Sequence, residues 1–122
     1  MWLSLTDPKL IESYREEFFS GHCPEEIASL LAELSKKPYA SNLYAVTSLG
    51  HLRLTTATSW QEGEKHDCIF VSHRYDAGKL VITLSYVEKN SRKSTADRRC
   101  ATEEAAGYVD LYVIKLIARA KD

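Results

Sequence analysis

Residues 67–88 have the sequence DCIFVSHRYDAGKLVITLSYVE, and this stretch decides the fold class. Apolar and polar side chains alternate on both sides of a short break at 76–78, which is the period-two pattern of β-strands. The glycine that ends the break suits the left-handed position of a three-residue hairpin loop. The stretch therefore predicts a β-hairpin with strands over 67–75 and 79–88.

The same alternation continues towards the N-terminus of this hairpin. Two further strands are predicted over 43–48 and 51–58, with Leu49-Gly50 as the turn between them. A polar segment over 59–66 joins the two hairpins. Four consecutive strands with such connections predict a four-stranded antiparallel meander sheet.

Helical spacing flanks the strands on both sides. Asp7 and Pro8 are suited to begin one helix near the N-terminus and Pro24 a second, and Thr102 is suited to cap a C-terminal helix. Each segment has apolar residues recurring along one helical stripe. A length of 122 residues fits one domain. The prediction is a single α+β domain over 1–122, with two N-terminal helices, the four-stranded sheet and a C-terminal helix packed on one face.

Each predicted hairpin has an aliphatic side for the helices and a mixed side with polar groups. The expected registers set Ser48 opposite His51 in the first hairpin and Tyr75 opposite Lys79 in the second. In the second hairpin the aliphatic side then carries Cys68, Phe70, Ser72, Leu80, Ile82, Leu84 and Tyr86, and the mixed side carries Ile69, Val71, His73, Val81, Thr83 and Ser85.

The mixed side is the first candidate site. Hydrogen-bonding groups among aliphatic residues are typical of ligand pockets. The same mixture also describes a subunit interface, where Tyr and Arg are enriched, and an ordinary solvent-facing sheet. Pocket, interface and plain surface therefore stay open at this point. The candidate residues for binding a ligand or a partner are Tyr44, His51, Arg53 and His73.

Charge is unevenly distributed along the chain, although the net charge is only −1. Residues 1–34 hold seven acids against two bases, and residues 89–100 hold five bases against one acid. The basic segment is a candidate site for an anion or an acidic partner, or else a solvated loop that leads into the last helix. The near-neutral total disfavours a general nucleic-acid binder. The candidate residues of this segment are Arg92, Lys93, Arg98 and Arg99.

No motif of catalysis or cofactor binding is present in the sequence. It lacks a Gly-rich phosphate loop, a nucleophile elbow and an H-E-x-x-H zinc motif. His66 and Cys68 share one face of the predicted strand, but two ligands are too few for a structural zinc site. We predict no catalytic residue, no metal site and no cofactor.

The cysteines and the N-terminus indicate the compartment. Three cysteines at unrelated spacings do not make a disulfide framework, and free thiols persist best in a reducing cytosol. The first residues lack a basic region followed by an apolar one, and no apolar stretch approaches the ~20 residues that cross a bilayer. The expected location is cytoplasmic, without membrane contact.

Two hypotheses of function follow. We favour a non-catalytic interaction domain, in which the mixed side or the 89–99 segment contacts another protein or a second copy of the chain. The alternative is a small-molecule-binding protein or an enzyme, with His51 or His73 transferring protons and Arg53 holding an anion. A concave cavity that holds these three residues would favour the alternative, and a flat surface would contradict it.

Overall fold

The structure is a computed structural model that describes most of the chain. The predicted Leu49-Gly50 turn and the site candidate Arg92 lie outside the described residues. The described ranges are 1–17, 24–48, 51–91 and 93–121.

Within the described residues, six strands form one antiparallel sheet whose order follows the chain. The α+β class and the antiparallel sheet are thus confirmed, whereas the predicted count of four strands is wrong. The strands are β1 (Trp2–Ser4), β2 (Tyr44–Ser48), β3 (His51–Thr55), β4 (Cys68–Asp76), β5 (Lys79–Val87) and β6 (Ser94–Ala101).

The two missed strands are the edges of the sheet. β1 has only three residues, too few to show an alternation. β6 has the sequence STADRRCA, in which Cys100 alone is buried, so it has no apolar period although its backbone pairs with β5. Charged side chains on an exposed edge strand oppose pairing with other chains. The basic segment 89–100, for which a solvated loop was one of the open alternatives, is therefore a strand from Ser94 onward.

In the part of the chain that the structure describes, three α-helices cover one face of the sheet, and the predicted C-terminal helix is confirmed. Buried residues of the helices and of the sheet form a single core cluster, which contains Leu31, Val109 and Leu84. No described helix is both long enough and apolar enough to cross a membrane. The helices are α1 (Leu10–Glu17), α2 (Glu25–Leu34) and α3 (Ala105–Ala120).

The register of the first hairpin is confirmed, but that of the second is shifted by one residue. Ser48 opposes His51, as predicted. In the second hairpin Asp76, not Tyr75, opposes Lys79, which leaves a two-residue loop. Both loop residues have positive φ, +52° at Ala77 and +80° at Gly78, as a type I′ turn requires.

This shift exchanges the two faces of β4 and has a simple physical cause. Ile69 and Val71 now lie opposite Tyr86 and Leu84, and all four are buried against the helices. The predicted register would have turned the side chains of Ile69 and Val71 away from the core. As a second consequence Phe70, expected on the aliphatic side, lies on the opposite face.

Candidate functional site

The face of the sheet that the helices leave uncovered is here called the open face. One row of directly opposed residues crosses it from the β1 edge to β5. This row combines two aromatic rings, one aliphatic side chain and one guanidinium. Its members are Trp2, Val46, Arg53, Phe70 and Ser85.

A cleft of about 660 Å³ lies on the open face at this row. The segment 57–67, which joins β3 to β4, forms one wall, and the turn after β5 (residues 88–91) forms another. Trp60 lies at the cleft with more than half of its surface exposed. The site is therefore concave and partly aromatic.

Arg53 lines the cleft from the centre of the sheet. Its Cζ atom lies 5.3 Å from the centroid of the Phe70 ring, a cation–π contact that holds the guanidinium over the strand. The Nε atom is buried and meets no hydrogen-bond acceptor in the described part of the chain. Within the same part of the chain, no carboxylate forms an ion pair with Arg53. A buried donor without an acceptor costs about 1–3 kcal/mol.

Trp2 fixes the wall above Arg53. Its Nε1 atom donates to the carbonyl oxygen of Ala57 at 3.1 Å, and its ring meets that of Trp60 edge-on at 4.9 Å. A Cβ on Gly63 would lie 3.4 Å from the Trp2 ring, so the segment passes close over the indole. Val46, directly opposite Trp2, is buried outside the main core beneath this wall.

Asp67 holds in place the turn after β5, which forms one wall of the cleft. Its Oδ1 accepts the backbone N–H of Lys89 at 2.8 Å, and its Oδ2 accepts the hydroxyl of Tyr86 at 2.5 Å and the Nε–H of Arg119. Burial acts to raise the pKa of Asp67, but the hydrogen bonds from Arg119, Tyr86 and Lys89 outweigh it, so this pKa lies below its ordinary value. The carboxylate stays charged and holds the β5 turn against the core.

Cys68 and His66 line the cleft and have side chains that take part in catalysis in other proteins. Burial raises the pKa of the Cys68 thiol to about 11, although the charge of Arg53 opposes this rise. A thiol with such a pKa is protonated at neutral pH and is a poor nucleophile. The Nδ1 atom of His66 is hydrogen-bonded to the Thr56 hydroxyl at 2.8 Å. Among the described residues, no three His, Cys, Asp or Glu side chains are grouped so as to hold a metal ion.

The structure brings together only part of the first predicted site. Tyr44, His51 and Arg53 share the open face, and the His51 ring meets Phe70 edge-on at 6.5 Å. Of these three, only Arg53 lines the cleft. His73 lies opposite Ile82 and so belongs to the other face, because of the register shift described above.

The second predicted site is divided in the same way. Arg98 and Arg99 are successive residues of β6 and point to opposite faces. Arg98 lies over the ring of Tyr108 at 4.6 Å, and Arg99 is 3.5 Å from the carboxylate of Asp76. Lys93 is exposed in the turn before β6. These side chains do not converge on one surface, whereas Lys89, from the same basic run, lines the cleft.

Sequence reasoning missed the aromatic part of the site. Phe70 would have been placed correctly if Ala77-Gly78 had been taken as a two-residue turn. The strand of Trp2 is too short to show a period, so the sequence pattern did not indicate on which face Trp2 lies.

Searches against family models, curated proteins and solved structures found no match for this chain. A functional proposal therefore depends on the geometry of the cleft.

Proposed function

We propose that this protein binds a small organic anion with an aromatic or planar apolar body in the cleft, without transforming it. The observation that carries the proposal is Arg53, a cation in a cleft with a buried N–H that meets no acceptor in the described residues. A guanidinium presents several donors in one plane and is well suited to a carboxylate or a phosphate. An anion bound in the cleft would pair with this guanidinium, which has no carboxylate partner among the described residues.

The aromatic side chains that line the cleft are the reason to expect an apolar part in the ligand. The rings of Trp2, Trp60 and Phe70 line a space of about 660 Å³, within the ~300–1,000 Å³ range of small-molecule sites. Rings of this kind contribute large apolar area with little loss of side-chain freedom. A ligand with its anionic end at Arg53 and a flat body against these rings would use both parts of the cleft.

The other charges at the cleft are consistent with one anionic group. Lys89 adds a second positive charge at the cleft. Glu88 also lines the cleft, but its carboxylate is 3.2 Å from the ammonium of Lys115. Glu64 is exposed on the 57–67 segment. Two basic and two acidic residues thus line the cleft, and this near balance favours a singly charged small molecule over a highly charged polymer.

Binding without turnover is supported by the state of the nearby side chains. The Cys68 thiol is protonated at neutral pH and is therefore a poor nucleophile. The two described cysteines are free thiols, as a reducing compartment permits, and a cytoplasmic location is part of the proposal. Of the three residues named for the small-molecule hypothesis, only Arg53 lines the cleft. We nevertheless prefer this hypothesis to the interaction domain favoured from the sequence, because of the aromatic walls and the unpaired N–H of Arg53.

Tryptophan fluorescence tests the proposal directly, because both tryptophans of the chain line the cleft. Four probes of similar size are titrated: benzoate, phenyl phosphate, benzylamine and benzyl alcohol. We expect a saturable change with one or both anions and none with the cation or the neutral alcohol. The preferred anion then distinguishes a carboxylate ligand from a phosphate ligand.

Two variants complete the test. Arg53→Gln should weaken binding of the preferred anion by about tenfold or more, since charge-assisted hydrogen bonds are lost. Arg74→Gln is the matched control, because Arg74 lies on the open face but outside the cleft, and it should bind as the parent does. Equal binding of benzyl alcohol, no saturable response to either anion, or unchanged affinity in Arg53→Gln would each overturn the proposal.

A further inference from the structure

Helix α3 carries an exposed apolar line on the side away from the sheet, here called the α3 stripe. Its two large members, Leu111 and Ile114, are 61% and 70% exposed. They are flanked by two small exposed residues, Gly107 and Ala118. The spacing of four, three and four residues is that of a coiled-coil seam, in which side chains line up along one face of a helix.

The side chains of the α3 stripe are not part of the core of the single chain. The opposite side of α3 already packs Val109, Val113 and Leu116 into the core. Single exposed aliphatic residues are common on protein surfaces. Two that adjoin on one helix face, in line with two small residues, form a continuous apolar strip of the kind that marks contact surfaces.

Charges at both ends of the stripe identify its occupant. Glu104 lies three residues before Gly107 and Lys121 three residues after Ala118, so both continue the same line. If two copies of α3 pack antiparallel about a two-fold axis, Leu111 meets Ile114 of the partner subunit. Glu104 then meets Lys121 of the partner subunit. A parallel pair would instead set Glu104 against Glu104 and Lys121 against Lys121.

We infer that the α3 stripe is a self-association surface, on which a second copy of this chain packs with its own α3 antiparallel. The small residues fit this arrangement, because Gly107 faces Ala118 of the partner subunit and lets the helices approach closely. A Cβ on Gly107 would meet no atom within 4 Å outside its own helix backbone and chain neighbours among the described residues. The space beside Gly107 is therefore open to a partner as far as the described residues extend.

The size of the surface predicts a weak dimer. Sixteen residues of α3 span about 24 Å, and a single helix pair buries less than the roughly 800 Å² per partner of a standard stable interface. The interface would also lie on the far side of the helix layer from the cleft. Self-association is therefore independent of ligand binding, and either proposal can fail without the other.

Sedimentation velocity over a range from about 5 to 500 µM measures the association, since dimer formation depends on protein concentration. The parent chain should shift from monomer to dimer within this range. Ile114→Glu should remain a monomer throughout, because it sets a charge in the centre of the seam. Tyr75→Glu is the matched control: Tyr75 is 66% exposed but lies on β4, and this variant should dimerise as the parent does.

Exchanging the charges of Glu104 and Lys121 tests whether the two α3 helices of the dimer pack antiparallel. Lys121→Glu should weaken the dimer roughly 3- to 10-fold, since two attractive contacts become repulsive. Adding Glu104→Lys should restore it, because the pairs are then re-formed with reversed signs. Glu104 also accepts a hydrogen bond from the backbone N–H of Ala101, so thermal unfolding of the double variant is measured alongside.

Three results would overturn the inference. They are a monomeric parent chain at every concentration, an Ile114→Glu variant that dimerises like the parent, and a folded double variant that associates no better than Lys121→Glu alone.

Discussion

Arg119, near the end of α3, donates its Nε–H to the buried carboxylate of Asp67, the residue that precedes β4. The two residues are 52 positions apart in the chain. The same carboxylate accepts hydrogen bonds from Tyr86 and from the backbone of Lys89. One buried charge thus ties the C-terminal helix to the central hairpin and to the turn that borders the cleft.

Replacing this carboxylate should be costly. In Asp67→Asn, Arg119 loses its counter-ion. The new amide group also adds N–H donors at a position where the neighbouring groups are all hydrogen-bond donors. Asp67 is 2% exposed and Arg119 33%, so we expect a loss of about 2–4 kcal/mol in the free energy of unfolding, measured by urea denaturation. Asp76→Asn removes an exposed ion pair with Arg99 and should cost less than about 0.5 kcal/mol. Equal costs for the two variants would contradict this account.

The same carboxylate should make stability depend on pH in acid. Because the pKa of Asp67 is lower in the folded than in the unfolded state, the unfolded chain binds more protons as pH falls. The contribution of Asp67 is complete above its unfolded pKa of about 4 and is lost as pH falls through the folded value. The stability difference between the parent and Asp67→Asn should be constant from about pH 5 to 7 and shrink below about pH 4. If the stability difference between the parent and Asp67→Asn instead grew as the pH fell, the pKa of Asp67 would be raised in the folded state, and the prediction would be wrong.

Cys68 should resist alkylation. With a pKa of about 11, its thiolate fraction at pH 8 is more than about 100-fold below that of an exposed thiol. Iodoacetamide labelling followed by mass spectrometry of the peptide should show a correspondingly slow reaction, which urea restores to the rate of a free thiol. Arg53→Gln should slow it further, because the charge of Arg53 lowers the pKa of Cys68. Rapid labelling of the folded chain would contradict the assigned state of the thiol.

Replacing each of two glycines with alanine should change the free energy of unfolding in opposite directions. Gly107→Ala should raise the free energy of unfolding by about 0.5–1 kcal/mol, since Gly107 is helical and a Cβ there has open space. Gly78→Ala should lower it by about 1–2 kcal/mol, because φ at Gly78 is +80°. Thermal unfolding of both variants beside the parent gives the comparison. A destabilised Gly107→Ala would mean that the space beside α3 is occupied.

The apolar periods alone were sufficient to predict the α+β class, the central strands and the C-terminal helix. When one face of an element is buried, its apolar residues recur with the period of that element, as Val109 and Val113 do along the buried side of α3. The edge strand β6 has no such period, because all of its residues before Cys100 are exposed and the strand is held mainly by backbone hydrogen bonds to β5. Its sequence therefore resembled a loop.

The residues of the cleft also fall into two groups, those that the sequence pattern identified and those that only packing placed there. Arg53 could be identified as a candidate because its strand and register were predicted correctly. Whether Phe70 or His73 joins it depended on one residue in the turn, where Ala77 adopts the left-handed conformation that a type I′ turn needs. A period of two cannot distinguish these registers, since each leaves an alternating pattern. Only packing of Ile69 and Val71 against the helices selects one of them.

The α-helical and β-strand periods, and hence the class of the fold, are local properties and follow from the order of residues. The open face, the wall held by Trp2 and the partner of Asp67 are not local. Two of their contacts, Asp67 with Arg119 and Trp2 with Ala57, join residues 52 and 55 positions apart, and such contacts exist only once the sheet and helices have packed. The candidate site depends on this packing, which is why the tertiary structure had to decide it.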